Sequence, residues 1–382
     1  MTRTSSDPPR GAIASTAEAE ALAARLARAE LVALDTEGDG MFRYRTRLCT
    51  VQLATSAELA VVDTLATDAR VFAALLSDDG PEKVVHDAAF DARVLAAHGI
   101  ALGRVFDTAV AARFVGFTAT GLATLLATLF DVQLPKQHQH ADWGERPLDD
   151  ELLAYLENDV RYLLPLRAAL LERVHALDIE DELREECAHL LREARKVVPE
   201  ASPFARVKGA LMRPPKQRAR LYELALARDE LARERDVPPA KVVPTELLMR
   251  LAEREPATLD ELARRLGSKL DCAESLFAAL ERAEQRDDAP AEATLEPTET
   301  PTSAEIALRK KRRELLVGFR TREAARRQLD PQVILPGHCV SDLVKLPRLD
   351  AELLAGISGL GACRIERYAA SWRRDFASAW SA

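Results

Sequence analysis

Two sets of residues in this sequence are spaced so that reactive side chains share a face. Asp35 and Glu37 flank Thr36 at the end of the apolar run Leu31-Val32-Ala33-Leu34. In a strand, residues i and i+2 project to the same side, so both carboxylates meet at its C-terminal edge. Such a pair suits a hard divalent cation, which takes oxygen ligands; solvated turn residues have the same composition. Tyr155 and Asp159 stand four apart in a segment with helical apolar spacing, which stacks phenol and carboxylate on one helix face. A surface pair with a partly packed ring fits that spacing equally. Asp91 opens a helical segment after Val84-Val85-His86, where an acid also complements the helix dipole, and Asp87 competes for any role. Each feature alone leaves the chemistry open.

The elements that must carry these residues alternate. Ala17–Arg28 reads as a helix before the first strand, and Arg47–Ala54 and Glu58–Asp63 read as strands. Arg70–Leu76 is helical, Val84–His86 a short strand, and Phe90–His98 a helix. That alternation predicts a mixed sheet covered by helices. From Leu122 to Lys196 the spacing is almost wholly helical, broken at Pro135 and Pro147.

Taken in order, Asp-x-Glu at a strand end, His-x4-Asp opening a helix and Tyr-x3-Asp in a later helix resemble the DEDD exonucleases, in the tyrosine-bearing subgroup. Lys136, Ala141-Asp142-Trp143, Arg146-Pro147-Leu148, Asp159-Val160 and Tyr162-Leu163-Leu164-Pro165 narrow the resemblance to ribonuclease D over roughly residues 15 to 200. Phe106-Asp107-Thr108 resembles the family's next strand-to-helix junction. The histidine-bearing subgroup places His where this chain has Ala154. The resemblance implies a ribonuclease-H-like α/β exonuclease domain, a mixed central sheet with helices on both faces. It implies that Asp35, Glu37, Asp91 and Asp159 hold two divalent metal ions, Mg2+ or Mn2+, and that Tyr155 positions the attacking water. In such a site one metal lowers the pKa of bound water and the other stabilises the departing oxygen. A free phenol has a pKa near 10, so Tyr155 is expected to orient rather than deprotonate.

Other residues carry competing readings. His138 and His140 lie close together but lack a third ligand at metal spacing, so a solvated loop is expected rather than zinc. His86 reads as a packed neighbour of the site. Phe42 and Trp143 are candidates to stack on a terminal base, with core packing as the alternative. Arg43, Arg45 and Arg47 either touch phosphates or form a solvated face.

Residues 204–283 form an all-helical block, with Val237-Pro238-Pro239 as a turn and Thr245 as a helix start. This block resembles the HRDC domain, a small helical bundle that binds nucleic acid. Residues 284–303 hold three prolines, six acidic residues and one basic residue, a composition that cannot form a core and predicts a linker. Residues 304–382 resemble a second, divergent HRDC-like bundle. They carry the basic run Arg309-Lys310-Lys311-Arg312-Arg313, which either contacts phosphate or lies on a solvated face. Three domains are therefore expected: residues 1–203, 204–283 and 304–382.

Bulk composition is consistent with this. The chain is 47% apolar and 30% charged, a globular balance. Met1–Arg10 lacks the apolar stretch of a signal peptide, and no apolar run approaches a membrane span. Five scattered cysteines without a CxxC pair argue against a disulfide framework and for the cytoplasm. The net charge of −8 restricts nucleic-acid contact to local basic surface and metal-neutralised sites. The expected activity is 3′-to-5′ exoribonuclease hydrolysis releasing nucleoside 5′-monophosphates from RNA with a free 3′ end, such as tRNA precursors, without a membrane or an obligatory protein partner. The alternatives are a DNA exonuclease of the same fold and a non-catalytic RNA-binding adaptor.

Overall fold

The apolar, β-branched stretches from Leu31 onward build a five-stranded sheet in the computed structural model, which describes residues 11–134, 138, 141–196, 202–290 and 302–380. The strands are β1 (Leu31–Gly38), β2 (Leu48–Ala54), β3 (Leu59–Asp63), β4 (Glu82–Val85) and β5 (Val105–Asp107). Their order is β3-β2-β1-β4-β5. β2 runs antiparallel to both β1 and β3, whereas β4 runs parallel to both β1 and β5. The sheet is therefore mixed, with the acid-bearing strand at its centre.

Alternation along β1 assigns its two faces. Val32 and Leu34 pack with α1 (Thr16–Leu26), α2 (Ala73–Leu76) and α3 (Ala89–Ala97). Ala33 points the other way, into a core shared with α4 (Thr108–Phe114), α5 (Leu122–Phe130) and α7 (Leu163–Ala176). Helix α6 (Asp150–Arg161) buries Leu153, Leu156 and Val160 and packs on β1, β2 and β3. Helix α8 (Glu180–Arg195) contributes Leu183 and Cys187 to one core and Leu191 to the other.

Beyond α8 the regular elements among the described residues are helical. The α-helices are α9 (Pro215–Glu234), α10 (Pro239–Val242), α11 (Thr245–Glu253), α12 (Leu259–Leu266), α13 (Ala273–Glu284), α14 (Ser303–Arg327), α15 (Pro331–Ile334), α16 (Gly337–Leu343), α17 (Ala351–Ala355), α18 (Ala362–Asp375) and α19 (Ala377–Trp380).

Contacts divide the molecule differently from the three expected segments. One compact unit comprises Met1–Gly38, Leu48–Lys196 and Pro301–Ala382; the other comprises Asp39–Arg47 and Val197–Thr300. Buried charge explains why the last helices join the first unit. Arg364, 0% exposed, donates to the carbonyls of Val333, Gly359 and Glu182 at 2.9, 3.1 and 3.4 Å. Glu182 of α8 also pairs with Arg367 and Arg327. His189 of α8 stacks on His338 with centroids 3.7 Å apart, and Gly359, at φ +79, lets the chain pass where a Cβ would strike both rings.

In the second unit α9 is the hub, packed by α10, α11 and α13. The ordered bundle runs past the expected end at residue 283: Arg218 Nε donates to Asp288 at 2.7 Å and Ala289 is buried. Segment Asp39–Arg47 belongs here because Tyr44 donates to Asp229 at 2.8 Å, Arg43 pairs with Asp236, and Lys241 lies 4.4 Å from the Phe42 ring centroid. All five cysteines are free thiols. No helix among the described residues is long and apolar enough to cross a membrane.

Candidate active site

Strand β1 delivers Asp35 and Glu37 to one face of the sheet edge, opposite Gln52 and Thr50 of β2, and pairing shifts just beyond Glu37. Helix α6 delivers Asp159 and Tyr155 to the same side. Its start is fixed by Asp149, whose carboxylate accepts from the amides of Glu151 and Leu152. Carboxylate oxygens of Asp35, Glu37 and Asp159 lie within 4.8 Å of one another. They line a cavity of about 490 Å³ together with Tyr155, His86, Asn158, Leu134 and the start of α5, Gly121–Thr124.

Asp91 reaches the strand from the other layer. It lies in the first turn of α3, 3% exposed, and accepts a 2.6 Å hydrogen bond from the hydroxyl of Thr36. Since Thr36 points away from the face of its neighbours, Asp91 stands outside the close trio while remaining near enough for its charge to act on Glu37. The α3 start is set by Asp107, which accepts from the amides of Asp87 and Ala88 and also caps α4 through Ala109 and Val110. Asp87, the sequence competitor, adopts φ 63 in this turn and is exposed.

Against known proteins, a 3′-5′ exonuclease family matches residues 12–175 and the HRDC domain matches residues 217–269. Ribonuclease D of Haemophilus influenzae is 32% identical over 60% of this chain and 59% of its own length. Ribonuclease D of Desulfotalea psychrophila is 30% identical over 66% of this chain and 68% of its own length. The chain belongs to the ribonuclease D family. The crystal structure of Escherichia coli RNase D shares the fold with a TM-score of 0.71 at 24% identity, covering 97% of this chain and 99% of the other. The match thus spans about three-fifths to two-thirds of the ribonuclease D sequences named.

The electrostatics of the ribonuclease D-like site suit a divalent cation. Among the described residues none of Asp35, Glu37, Asp91 or Asp159 forms an ion pair, so their charges lack an internal counterion. Burial, reinforced by Asp159, holds Asp35 well above the usual carboxylate range. Burial, then Asp35, raises Glu37 to about 9, and burial raises Asp159 to about 7. Burial, then Asp35, also raises Asp91. An all-oxygen, uncompensated donor set of this kind fits hard metals. Burial and the neighbouring carboxylates push the Tyr155 phenol upward, keeping it protonated.

Other sequence candidates separate by burial. Trp143 is 2% exposed and packs with Cys49, Val61, Leu153 and Leu156, its ring 5.7 Å from that of Tyr155. Its faces are occupied by the core, so its place is behind Tyr155 and not against a base. Arg146 anchors that loop, donating to the Trp143 and Cys49 carbonyls and to Asp63. His86 contacts the Thr108 hydroxyl at 2.9 Å, and burial lowers its pKa, in keeping with a packed, neutral ring. Arg312 is also withdrawn from any phosphate. It is 5% exposed, donates to the carbonyls of Ala379, Val344 and Leu346, and lies over the Trp380 ring. Lys310, Lys311 and Arg313 are exposed and Arg309 half-buried. Arg43 and Arg47 both pair with Asp39, whereas Arg45 is exposed. His138 faces Glu151 at 3.8 Å and Tyr155; Lys136 and His140 lie outside the described residues.

Sequence reasoning overlooked Asn158 and the Gly121–Thr124 helix start as cavity walls. Asn158 was recoverable, standing three residues beyond Tyr155 on the same helix. The α5 start carries no local chemical signal.

Proposed function

We propose that this chain is a hydrolytic 3′-to-5′ exoribonuclease releasing nucleoside 5′-monophosphates, with Asp35, Glu37, Asp91 and Asp159 holding two divalent ions, Mg2+ or Mn2+. The observation supporting it is the convergence of Asp35, Glu37 and Asp159 within 4.8 Å, without cationic partners, beside a protonated phenol in an open cavity. Bound divalent ions would supply water acidification and charge relief on the leaving oxygen.

The protein's own groups do the rest. Asp35 and Glu37 sit rigidly on a central strand, while Asp159 and Tyr155 share one turn of α6, so phenol and carboxylates are held in fixed register. The Tyr155 hydroxyl, kept protonated, orients the nucleophilic water by hydrogen bonding. Trp143 and Arg146 hold the ring in place. The Thr36 hydroxyl fixes the Asp91 carboxylate, and Asp107 fixes the turn that presents it.

RNA with a free 3′ end is the substrate, and tRNA precursors are the natural class for a ribonuclease D relative; the setting is the cytoplasm. Phe42, Arg309, Lys310, Lys311 and Arg313 are the nucleic-acid contacts we assign outside the cavity, through stacking and phosphate pairing. The test compares single-stranded RNA with free and blocked 3′ ends, with and without Mg2+, beside matched DNA. Metal-dependent release of 5′-monophosphates from the free RNA end alone is expected. Preference for DNA would move the substrate assignment, and metal-independent binding without turnover would mark an adaptor.

A further inference from the structure

A second cavity of about 490 Å³ lies in the first unit, away from the acidic one. Its lining includes Glu82 and Val105, the first residues of β4 and β5. The acids instead close β1, which is parallel to β4, or follow the far end of β4. The two cavities therefore open at opposite ends of the parallel strands.

One wall is helix α8. Arg184, Ala188, Arg192 and Arg195 recur at steps of four, four and three, so they share one helix face, and the small Ala188 leaves its middle low. The facing wall brings Arg104 from the turn before β5. Its backbone is held at φ 44, a left-handed conformation uncommon for a non-glycine residue. Its amide donates to Asp78 at 3.2 Å and its guanidinium to the Gly80 carbonyl at 3.1 Å.

The charges in this cavity do not cancel. Arg184 is matched by Glu180 and Asp181, and Glu82 is taken by Arg167. Arg104, Arg192 and Arg195 form no ion pair among the described residues, and they face one remaining carboxylate, Asp78. The Nε of Arg195 is buried without a hydrogen-bond partner. Lys83, 0% exposed, donates to the Ser77 carbonyl at 2.6 Å. Burial first, then the Arg104 charge, pushes its pKa down to about 8, with Asp78 and Glu82 opposing the shift. The α8 dipole accounts for two cations at its C-terminal end. It does not account for Arg104 arriving from another element, nor for an unpartnered Nε. Guanidinium groups converging on a concave site match phosphate oxygens, which they bind through paired N–H donors.

We propose that this cavity is a second, non-catalytic phosphate-binding site, with Arg104, Arg192 and Arg195 as its ligands. The phosphate comes either from the RNA backbone upstream of the cleaved end or from a free polyphosphate. Only the RNA source rests on the exonuclease reading.

The test uses the full chain and two variants: the double substitution Arg192→Gln/Arg195→Gln, and Ala188→Glu, which places a carboxylate in the cavity without removing any existing partner. Inorganic pyrophosphate is titrated calorimetrically in chelator, so that the acidic site takes no part. RNA binding is measured in an Asp35→Asn background over a salt series. For a backbone source, RNA affinity falls in both variants and the log–log salt slope becomes shallower by about 0.7 per lost phosphate contact. For a free polyphosphate, pyrophosphate binding weakens at least about tenfold, the effect of losing roughly 1.4 kcal/mol, while RNA affinity is unchanged. Unaltered affinity for both probes in a folded Ala188→Glu protein overturns the proposal. Dinucleotide hydrolysis, which needs the acidic cavity alone, stays within about twofold of wild type. Its absence in the wild-type protein would count against the exonuclease reading and leave the pyrophosphate result standing.

Discussion

Tyr155→Phe isolates one hydroxyl from everything that supports it. The ring remains packed against Trp143, with centroids 5.7 Å apart, and α6 keeps its buried Leu153, Leu156 and Val160. Stability should therefore change by no more than about 1 kcal/mol, the net worth of an ordinary hydrogen bond. The catalytic loss is larger, because the hydroxyl is directed into a cluster where charge develops. One preorganised donor in such a position contributes about 2.7–4 kcal/mol, or 10²–10³-fold in kcat. Single-turnover cleavage of a short RNA at saturating Mg2+, with KM measured separately, reads this directly. The expected result is a kcat lower by that factor with KM nearly unchanged, and a melting temperature close to wild type. A kcat within threefold of wild type would refute the orienting role. A defect confined to KM would instead assign Tyr155 to substrate stacking. Trp143→Ala provides the contrast, costing about 3–5 kcal/mol of stability through the cavity it leaves.

Three further outcomes follow from particular contacts. Mg2+ is expected to raise the wild-type melting temperature and to support turnover, and Asp35→Asn or Asp159→Asn should abolish both while the protein stays folded; normal turnover in either variant contradicts the ligand assignment. Arg364→Met leaves buried carbonyls without their donor and should cost about 1–3 kcal/mol for each carbonyl left unpaired, read in urea unfolding, whereas a total loss below about 1 kcal/mol would show that these bonds are dispensable. For His338, burial, then the stacked His189 and the Arg364 charge, offset by Asp342 and Glu193, push the pKa down to about 4, against about 6.5 for a free imidazole. The unfolded chain thus takes its proton first, so stability is fully present above about pH 6.5 and is lost as pH falls toward 4. His338→Phe keeps a stacked ring and should flatten that decline in melting temperature; an unchanged decline would place the titration elsewhere.

What could be read from the sequence was whatever depends on local periodicity. The step of two put Asp35 and Glu37 together because β1 is a regular strand up to Glu37, and the step of four put Tyr155 over Asp159 because α6 is a regular helix. Strand limits shifted by only a residue or two. What stayed hidden depends on contacts between distant segments. Arg312 sits in a basic run that reads as surface, yet its guanidinium is drawn inward by three carbonyls left open by neighbouring turns. For Trp143 the sequence leaves base stacking and core packing equally open, and the choice is made by Arg146, which folds the loop onto Cys49 and Asp63. The grouping of residues 301–382 with the sheet domain rests on Glu182, His189 and Arg364, each unremarkable in its own stretch of sequence. The acids of the site were identifiable as a set only because their motifs resemble one family, since no spacing rule links residue 35 to residue 159.

Thr36 gives the acidic cluster a mechanical meaning. Its two neighbours hang their carboxylates beneath the sheet, while its own hydroxyl holds a fourth acid that descends from above. Divalent ions held among these acids would tie the two helical layers together through one strand, so loosening either layer would slacken the same fastening.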